Sequence, residues 1–235
     1  MKRRIQIMGA ASAVTLAFFI FIVTAPLAAK SPLGMVVFKK GSVKVIRSGK
    51  TKRAGVNFLV EAGDTIRTAS GARVSVQLSS GVIFQVGPSS AMKINSLGKR
   101  INLGLKRGSM SGRFKRGKSR SMRIQTPTAI AGVRGTDFIV EVNDSGGAKP
   151  DSKVMVDKGA VNVKDARTGK QAMVKAGNKG VVSVTRGIQT GIMEAYEKQK
   201  FAIFEQFNRQ KKANIEMLME MKRKNRDMFN RQNQP

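Results

Sequence analysis

The stretch that decides the fold class is Thr136-Asp137-Phe138-Ile139-Val140-Glu141-Val142, with Lys153-Val154-Met155-Val156, Lys158-Gly159 and Ala160-Val161-Asn162-Val163 behind it. Apolar residues recur at every second position, so each segment buries one face and wets the other. The same alternation appears upstream in Ser42-Val43-Lys44-Val45-Ile46-Arg47 and Arg73-Val74-Ser75-Val76-Gln77-Leu78, and downstream in Val181-Val182-Ser183-Val184. Glycine punctuates the gaps, at Ser80-Gly81, Gly98-Lys99, Arg107-Gly108 and Thr168-Gly169. The pattern predicts a mainly β domain over residues 33–186, built from about 13 short strands. Two arrangements fit it. One is a plain sandwich. The other is an irregular solenoid-like stack, because the strand–Gly–strand unit with a V-x-V core recurs at both ends of the domain.

From Gln189 onward Gly and β-branched residues thin out, and Glu, Lys, Gln, Met, Ala and Phe take over. Residues 190–230 read as one long basic helix, and 231–235 as a frayed, disordered tail. Phe201, Phe204 and Phe207 sit among Lys198, Lys200 and Arg209. Such a stripe suits docking on the β-domain or self-association more than a membrane interface. At the other end, Lys2, Arg3 and Arg4 precede an uncharged stretch from Ile5 to Ala29. Residues 1–29 therefore read as a secretory signal peptide, cleaved or kept as an anchor. Both versions place the rest of the chain outside the cytoplasm, in the periplasm or tethered to the inner membrane.

Composition narrows the chemistry. The 235 residues include no Cys and no His, and only 14 carboxylates against 44 Lys and Arg, for a net charge of +30. Without thiolate, imidazole or carboxylate clusters, nucleophilic, acid–base and metal-assisted schemes lack their usual groups. The expectation is a non-enzyme with no catalytic residue, no cofactor and no metal. A balance this basic points to polyanionic partners. Residues 65–136 contain no acid, and the densest basic run holds Lys99, Arg100, Lys106, Arg107, Arg113, Lys115, Arg116, Lys118, Arg120 and Arg123. This run is the candidate anion-binding face, with an anionic lipid or polysaccharide as the partner. Nucleic acid fits less well, since one Phe in the run gives no platform for stacking bases.

Several short motifs resemble those of the FecR domain family. Gly63-Asp64-Thr65-Ile66-Arg67-Thr68 is similar to its GD-x-[IV]-x-T stretch. Ser80-Gly81 and Gly87-Pro88-Ser89-Ser90 are similar to its next segment. Thr126-Pro127-Thr128-Ala129-Ile130-Ala131-Gly132-Val133-Arg134-Gly135-Thr136-Asp137-Phe138 closely resembles its TP-x-A-x-x-x-VRGT-[DE]-F signature. The resemblance runs in order over about residues 34–186. It implies an extracytoplasmic all-β module, which in the best-known members senses a signal for a transmembrane anti-sigma regulator. Here only four residues precede the apolar segment, so no cytoplasmic anti-sigma domain is expected. What remains is a sensing or interaction module that meets a protein partner or an anionic envelope surface. An anchored envelope scaffold and a basic nucleic-acid-binding protein are the alternatives. The signature residues Gly63, Asp64, Thr68, Thr126, Pro127, Val133, Arg134, Gly135, Thr136 and Phe138 read as structural. Asp64 would accept backbone N–H bonds, and Arg134 would cap carbonyls or pair with Asp137.

Overall fold

The computed structural model describes residues 34–79, 81–114, 121–143 and 150–232. The expected signal segment lies outside them, as do residues 233–235 of the expected tail, whereas Arg231 and Gln232 close the helix instead. Among the described residues there are seventeen strands and one helix, against about 13 strands expected. The excess arises in short pieces whose alternation spans too few residues to read. In chain order the first eight are β1 (Gly34–Lys40), β2 (Val43–Arg47), β3 (Lys50–Arg53), β4 (Leu59–Val60), β5 (Thr65–Thr68), β6 (Arg73–Leu78), β7 (Ile83–Val86) and β8 (Ala91–Leu97). The fourteen-residue β9 (Arg100–Arg113) stands in the middle. Then come β10 (Ser121–Gln125), β11 (Ala129–Val133), β12 (Asp137–Asn143), β13 (Asp151–Lys158), β14 (Ala160–Asp165), β15 (Gln171–Lys175), β16 (Asn178–Ser183) and β17 (Gly187–Ile192).

The ladders resolve into two sheets. Sheet I runs β4-β1-β6-β7-β9-β12-β13-β16-β17. Sheet II runs β3-β2-β5-β8-β9-β10-β11-β14-β15. The hairpins β10–β11, β12–β13, β14–β15 and β16–β17 fall alternately in sheets II, I, II and I, so from β6 onward each sheet grows outward in sequence order. The two arrangements left open by the sequence merge: the layers pack like a sandwich, while the chain advances along them like a solenoid. One apolar cluster fills the space between. It takes Val74, Val76, Phe84 and Phe138 from sheet I and Val45, Ile66, Leu103 and Ile124 from sheet II.

β9 belongs to both sheets. Residues 101–107 pair with β8 and, in parallel, 100–104 pair with β10. Residues 108–113 pair with β7 and β12 instead. The strand changes layer at Gly108, which takes φ +84°. A Cβ there would lie 2.6 Å from the Ser90 Cα, so only glycine fits the bend. Ser90 secures it. Its Oγ accepts from the Ser109 N–H at 2.9 Å and donates to the Pro88 carbonyl at 2.9 Å.

The helix, α1 (Ala195–Gln232), follows β17 and lays its first turns on the outer face of sheet I. Phe201 and Met193 pack with Ile139 of β12 and Met155 of β13, all nearly inaccessible. Phe204 is buried as well. Burying each Phe contributes about 1.5–3 kcal/mol. Phe201 and Phe204 therefore face protein, as docking requires, while the Phe207 side chain lies outside the described residues. No described helix is long and apolar enough to cross a membrane.

Glu197 anchors the helix start. Its carboxylate is fully buried and accepts from Lys153 Nζ at 2.7 Å and Lys179 Nζ at 2.9 Å. It also reaches back to the Glu194 N–H at 2.9 Å, satisfying a donor at the helix N-terminus. Burial alone would push this carboxyl up. The two ammonium groups and the backbone N–H outweigh it and hold the group at about 2, from an ordinary 4.5. Lys200 to Glu141 at 2.7 Å and Arg113 to Glu205 extend the seam along the helix.

Gly108→Ala should lower stability to chemical denaturation by at least about 2 kcal/mol. Gly98→Ala, where a Cβ meets nothing within 4 Å, should change it by less than about 0.5 kcal/mol. The folded carboxyl of Glu197 titrates below its unfolded value, so its contribution is complete above about 4.5 and fades as pH falls toward about 2. Amide exchange over residues 195–206 should therefore accelerate as pH drops through that window, after correction for the intrinsic rate. Glu197→Gln should speed tryptic cleavage at Lys198 and Lys200 at neutral pH while leaving the strands protected.

Candidate functional site

The signature residues lie around turns, and the polar groups of Asp64, Thr68 and Thr126 hold those turns. Asp64 is completely buried after Gly63, which takes φ +95°. It accepts the Glu61 N–H at 3.0 Å, as the sequence suggests. It also receives both Arg47 Nε at 2.8 Å and Nη2 at 2.7 Å, a fork-to-carboxylate pair that the sequence does not reveal. The hydrogen bond to Asp64 holds the Arg47 guanidinium above its ordinary value. Thr68 Oγ1 donates to the Gly87 carbonyl at 2.6 Å and accepts from the Ser90 N–H at 2.9 Å. It thereby ties the first motif to the segment that secures the bend in β9.

Thr126 closes the β10–β11 turn, which carries exposed Pro127: its Oγ1 accepts the Ala129 N–H at 2.8 Å. Thr126 and Thr128 also meet the buried Ser152 Oγ at 2.7 and 2.6 Å, a hydroxyl cluster linking sheet II to β13 of sheet I. Val133 and Phe138 lie in the core. Phe138 covers Gly112, where a Cβ would sit 2.9 Å from its ring. Gly135 takes φ +71° just before β12, and Gly159 backs directly onto its carbonyl. Buried Thr136 offers its carbonyl to the Phe114 N–H at 2.9 Å.

One expectation is corrected here. Asp137 pairs with Arg113, whose Nε lies 3.0 Å from both carboxylate oxygens, and not with Arg134. The register explains it: Arg113 of β9 stands directly opposite Asp137 of β12. Arg134 is exposed on the turn.

The basic run divides. Arg113 turns to sheet I, where Asp137 and Glu205 neutralise it. Lys115, Arg116, Lys118 and Arg120 lie outside the described residues. Lys99 and Arg107 are exposed at the two ends of the sheet II half of β9. Arg100, Lys106 and Arg123 are exposed on the outer face of that sheet, since the alternate residues Ile101, Leu105, Met122 and Ile124 are buried. Cations distant in sequence join them there, among them Lys44, Arg67 and Lys93. Only the strand register could have shown this.

On the opposite side, a cleft of about 200 Å³ opens between sheet I and α1, lined in part by Arg73, Gln85, Ser109, Ser111, Lys200 and Phe204. It is smaller than the roughly 300–1,000 Å³ of typical small-molecule pockets.

Comparison with known proteins agrees with this geometry. Two crystal structures of a "putative anti-sigma factor" from Parabacteroides distasonis, at 1.65 and 2.50 Å, resemble the chain. The first has 17 % identity and a TM-score of 0.50, covering 59 % of this chain and 64 % of that one. The second has 18 % identity and a TM-score of 0.48, covering 56 % and 60 %. The chain thus spans less than two thirds of either, and the likeness is one of fold. A search of curated proteins finds no match. Residues 64–162, from the β5 turn into β14, match the family model described as FecR protein.

Proposed function

We propose that the chain is a non-catalytic sensing or interaction module that works outside the cytoplasm by contact with a protein partner. The observation that carries this reading is the FecR match over residues 64–162. It covers the middle of both sheets, where the shared β9 joins them. Asp64, Thr68 and Thr126 within it are occupied by turns, caps and ion pairs, so these signature residues serve the fold, while Arg134 stays exposed on its turn. Recognition then falls to the outer faces of the stack. A regulatory role agrees with the description of the structurally similar proteins from Parabacteroides distasonis. The export reading rests on the charged start and uncharged stretch of residues 1–29.

Expression in a Gram-negative host, followed by fractionation and mass spectrometry of the N-terminus, tests the compartment. The expected product begins at Lys30 in the periplasm, or retains Met1 in the inner membrane. An intact chain in the cytosol would overturn the reading. For the partner, cross-linking in intact cells should trap an envelope protein on the folded domain. Recovery of cross-links to cytosolic proteins alone would sink it.

A further inference from the structure

Sheet II carries an arrangement of charge that folding does not explain. Arg53 of β3, Lys44 of β2 and Arg67 of β5 stand directly opposite one another across three neighbouring strands. Like charges in directly opposed positions destabilise a sheet. Lys93 follows on β8, Arg100 and Lys106 on β9, and Arg123 on β10. Lys164 and Lys175 complete the face on β14 and β15. All nine cations are exposed, and they occupy eight of the nine strands.

No carboxylate answers them. Among the described residues, the only acid in the sheet II strands is Asp165, which is buried. Its carboxyl accepts the N–H groups of Thr168 and Arg167, which hold it below its ordinary value against the effect of burial. The ion pairs among the described residues leave these nine cations out, Arg47 of β2 being set at the parity of buried Val43 and Val45, alternate to Lys44. Lys153, Lys179, Lys200 and Arg113 are matched to acids between sheet I and α1, and Arg47 to Asp64 and Glu61. The molecule thus separates its charges between two faces and leaves one face cationic.

We propose that this face docks on a bilayer surface rich in anionic phospholipid headgroups. The proposal rests on the reading of the chain as an envelope module and names a surface that it meets. Nine strands at about 4.8 Å spacing put the outermost strands roughly 40 Å apart. Charge spread over such a width matches a continuous anionic surface, whereas a single small anion would need the cations to converge. The sheet II strands contain no aromatic residue, so there is nothing to stack bases on. Met173, 56 % exposed, projects from the same face as Arg123, to which the register joins it through Gly132 and Asn162. It offers an apolar tip to the headgroup region. Each Lys or Arg near such a surface adds an attraction to the headgroups that salt screens.

Co-sedimentation of the full chain with vesicles tests the proposal. Vesicles of equal parts phosphatidylglycerol and phosphatidylcholine are compared with phosphatidylcholine alone. Any contribution of residues 5–29 is common to both kinds, so the preference for the anionic vesicles is the reading. A clear preference at low salt should disappear by about 0.5 M NaCl. The triple variant Lys44→Gln, Arg67→Gln, Arg123→Gln should reduce the preference at least about tenfold. It should not lower Tm, because it relieves the cross-strand repulsion. Lys158→Gln with Arg186→Gln, exposed cations away from this face, should leave the preference intact. Absence of preference, or an equal loss in both variants, would overturn the proposal. So would displacement from the vesicles by duplex DNA or an acidic polysaccharide at equal charge concentration. A cytosolic chain would defeat the compartment reading without altering this result, and a missing lipid preference would defeat the docking face alone.

Discussion

The architecture depends on one strand serving two sheets. β9 gives its first half to sheet II and its second half to sheet I, and the change is made within one residue at Gly108. Because the same chain segment sets the register on both sides, the layers cannot slip independently. A one-residue shift would turn Leu103 and Leu105 out of the core in one sheet and Met110 out in the other. The Gly87–Ser90 segment braces the bend, and Thr68 braces that segment in turn. Two FecR-like motifs, separated in sequence, are thereby parts of one mechanical joint.

The second organising feature is the segregation of charge. In a chain of net charge +30, carboxylates are scarce, and where they stand decides which cations are neutralised. Glu141, Glu197 and Glu205 are placed between sheet I and α1, where each meets Lys or Arg. Glu197 is the most consequential of them. Its buried carboxylate answers two lysines from different strands and the backbone at the helix start, so one group joins β13, β16 and α1. A buried charge with several partners gives specificity of placement more than net stability. The helix is thus fixed in orientation on sheet I, while sheet II stays open to solvent and strongly cationic. The two layers of one stack are in this way assigned different tasks, one covered by its own chain and one turned outward.

Local patterns made much of this legible. The period-two alternation around Val140 and Val154 defines strands, because an apolar face must be buried wherever a strand meets a core. The Gly- and Thr-containing motifs mark turns, since a positive φ at Gly63 or Gly135 and a hydroxyl at Thr126 act on neighbouring backbone. The loss of Gly and β-branched residues after Gln189 marks the helix but not its start: Gly187–Ile192 pairs with β16 as a further strand, and the helix begins at Ala195 instead of residue 190. The basic run from Lys99 is visible as composition, yet its division is not. Arg113 and Lys106 lie seven positions apart on the same strand, one neutralised by Asp137 and the other left exposed.

What the amino-acid sequence determined by itself is therefore the strand and helix content, the turn chemistry and the excess of positive charge, all of which act over a few residues. Tertiary structure decided which cations are neutralised and which are gathered on one face. Asp137 meets Arg113 across 24 residues, Glu197 meets Lys153 across 44, and Glu141 meets Lys200 across 59. The row Arg53–Lys44–Arg67 exists only through strand register. Coulombic interactions depend on distance in space, and distance in space is set here by which strands pair and by the single bend that passes β9 from one sheet to the other.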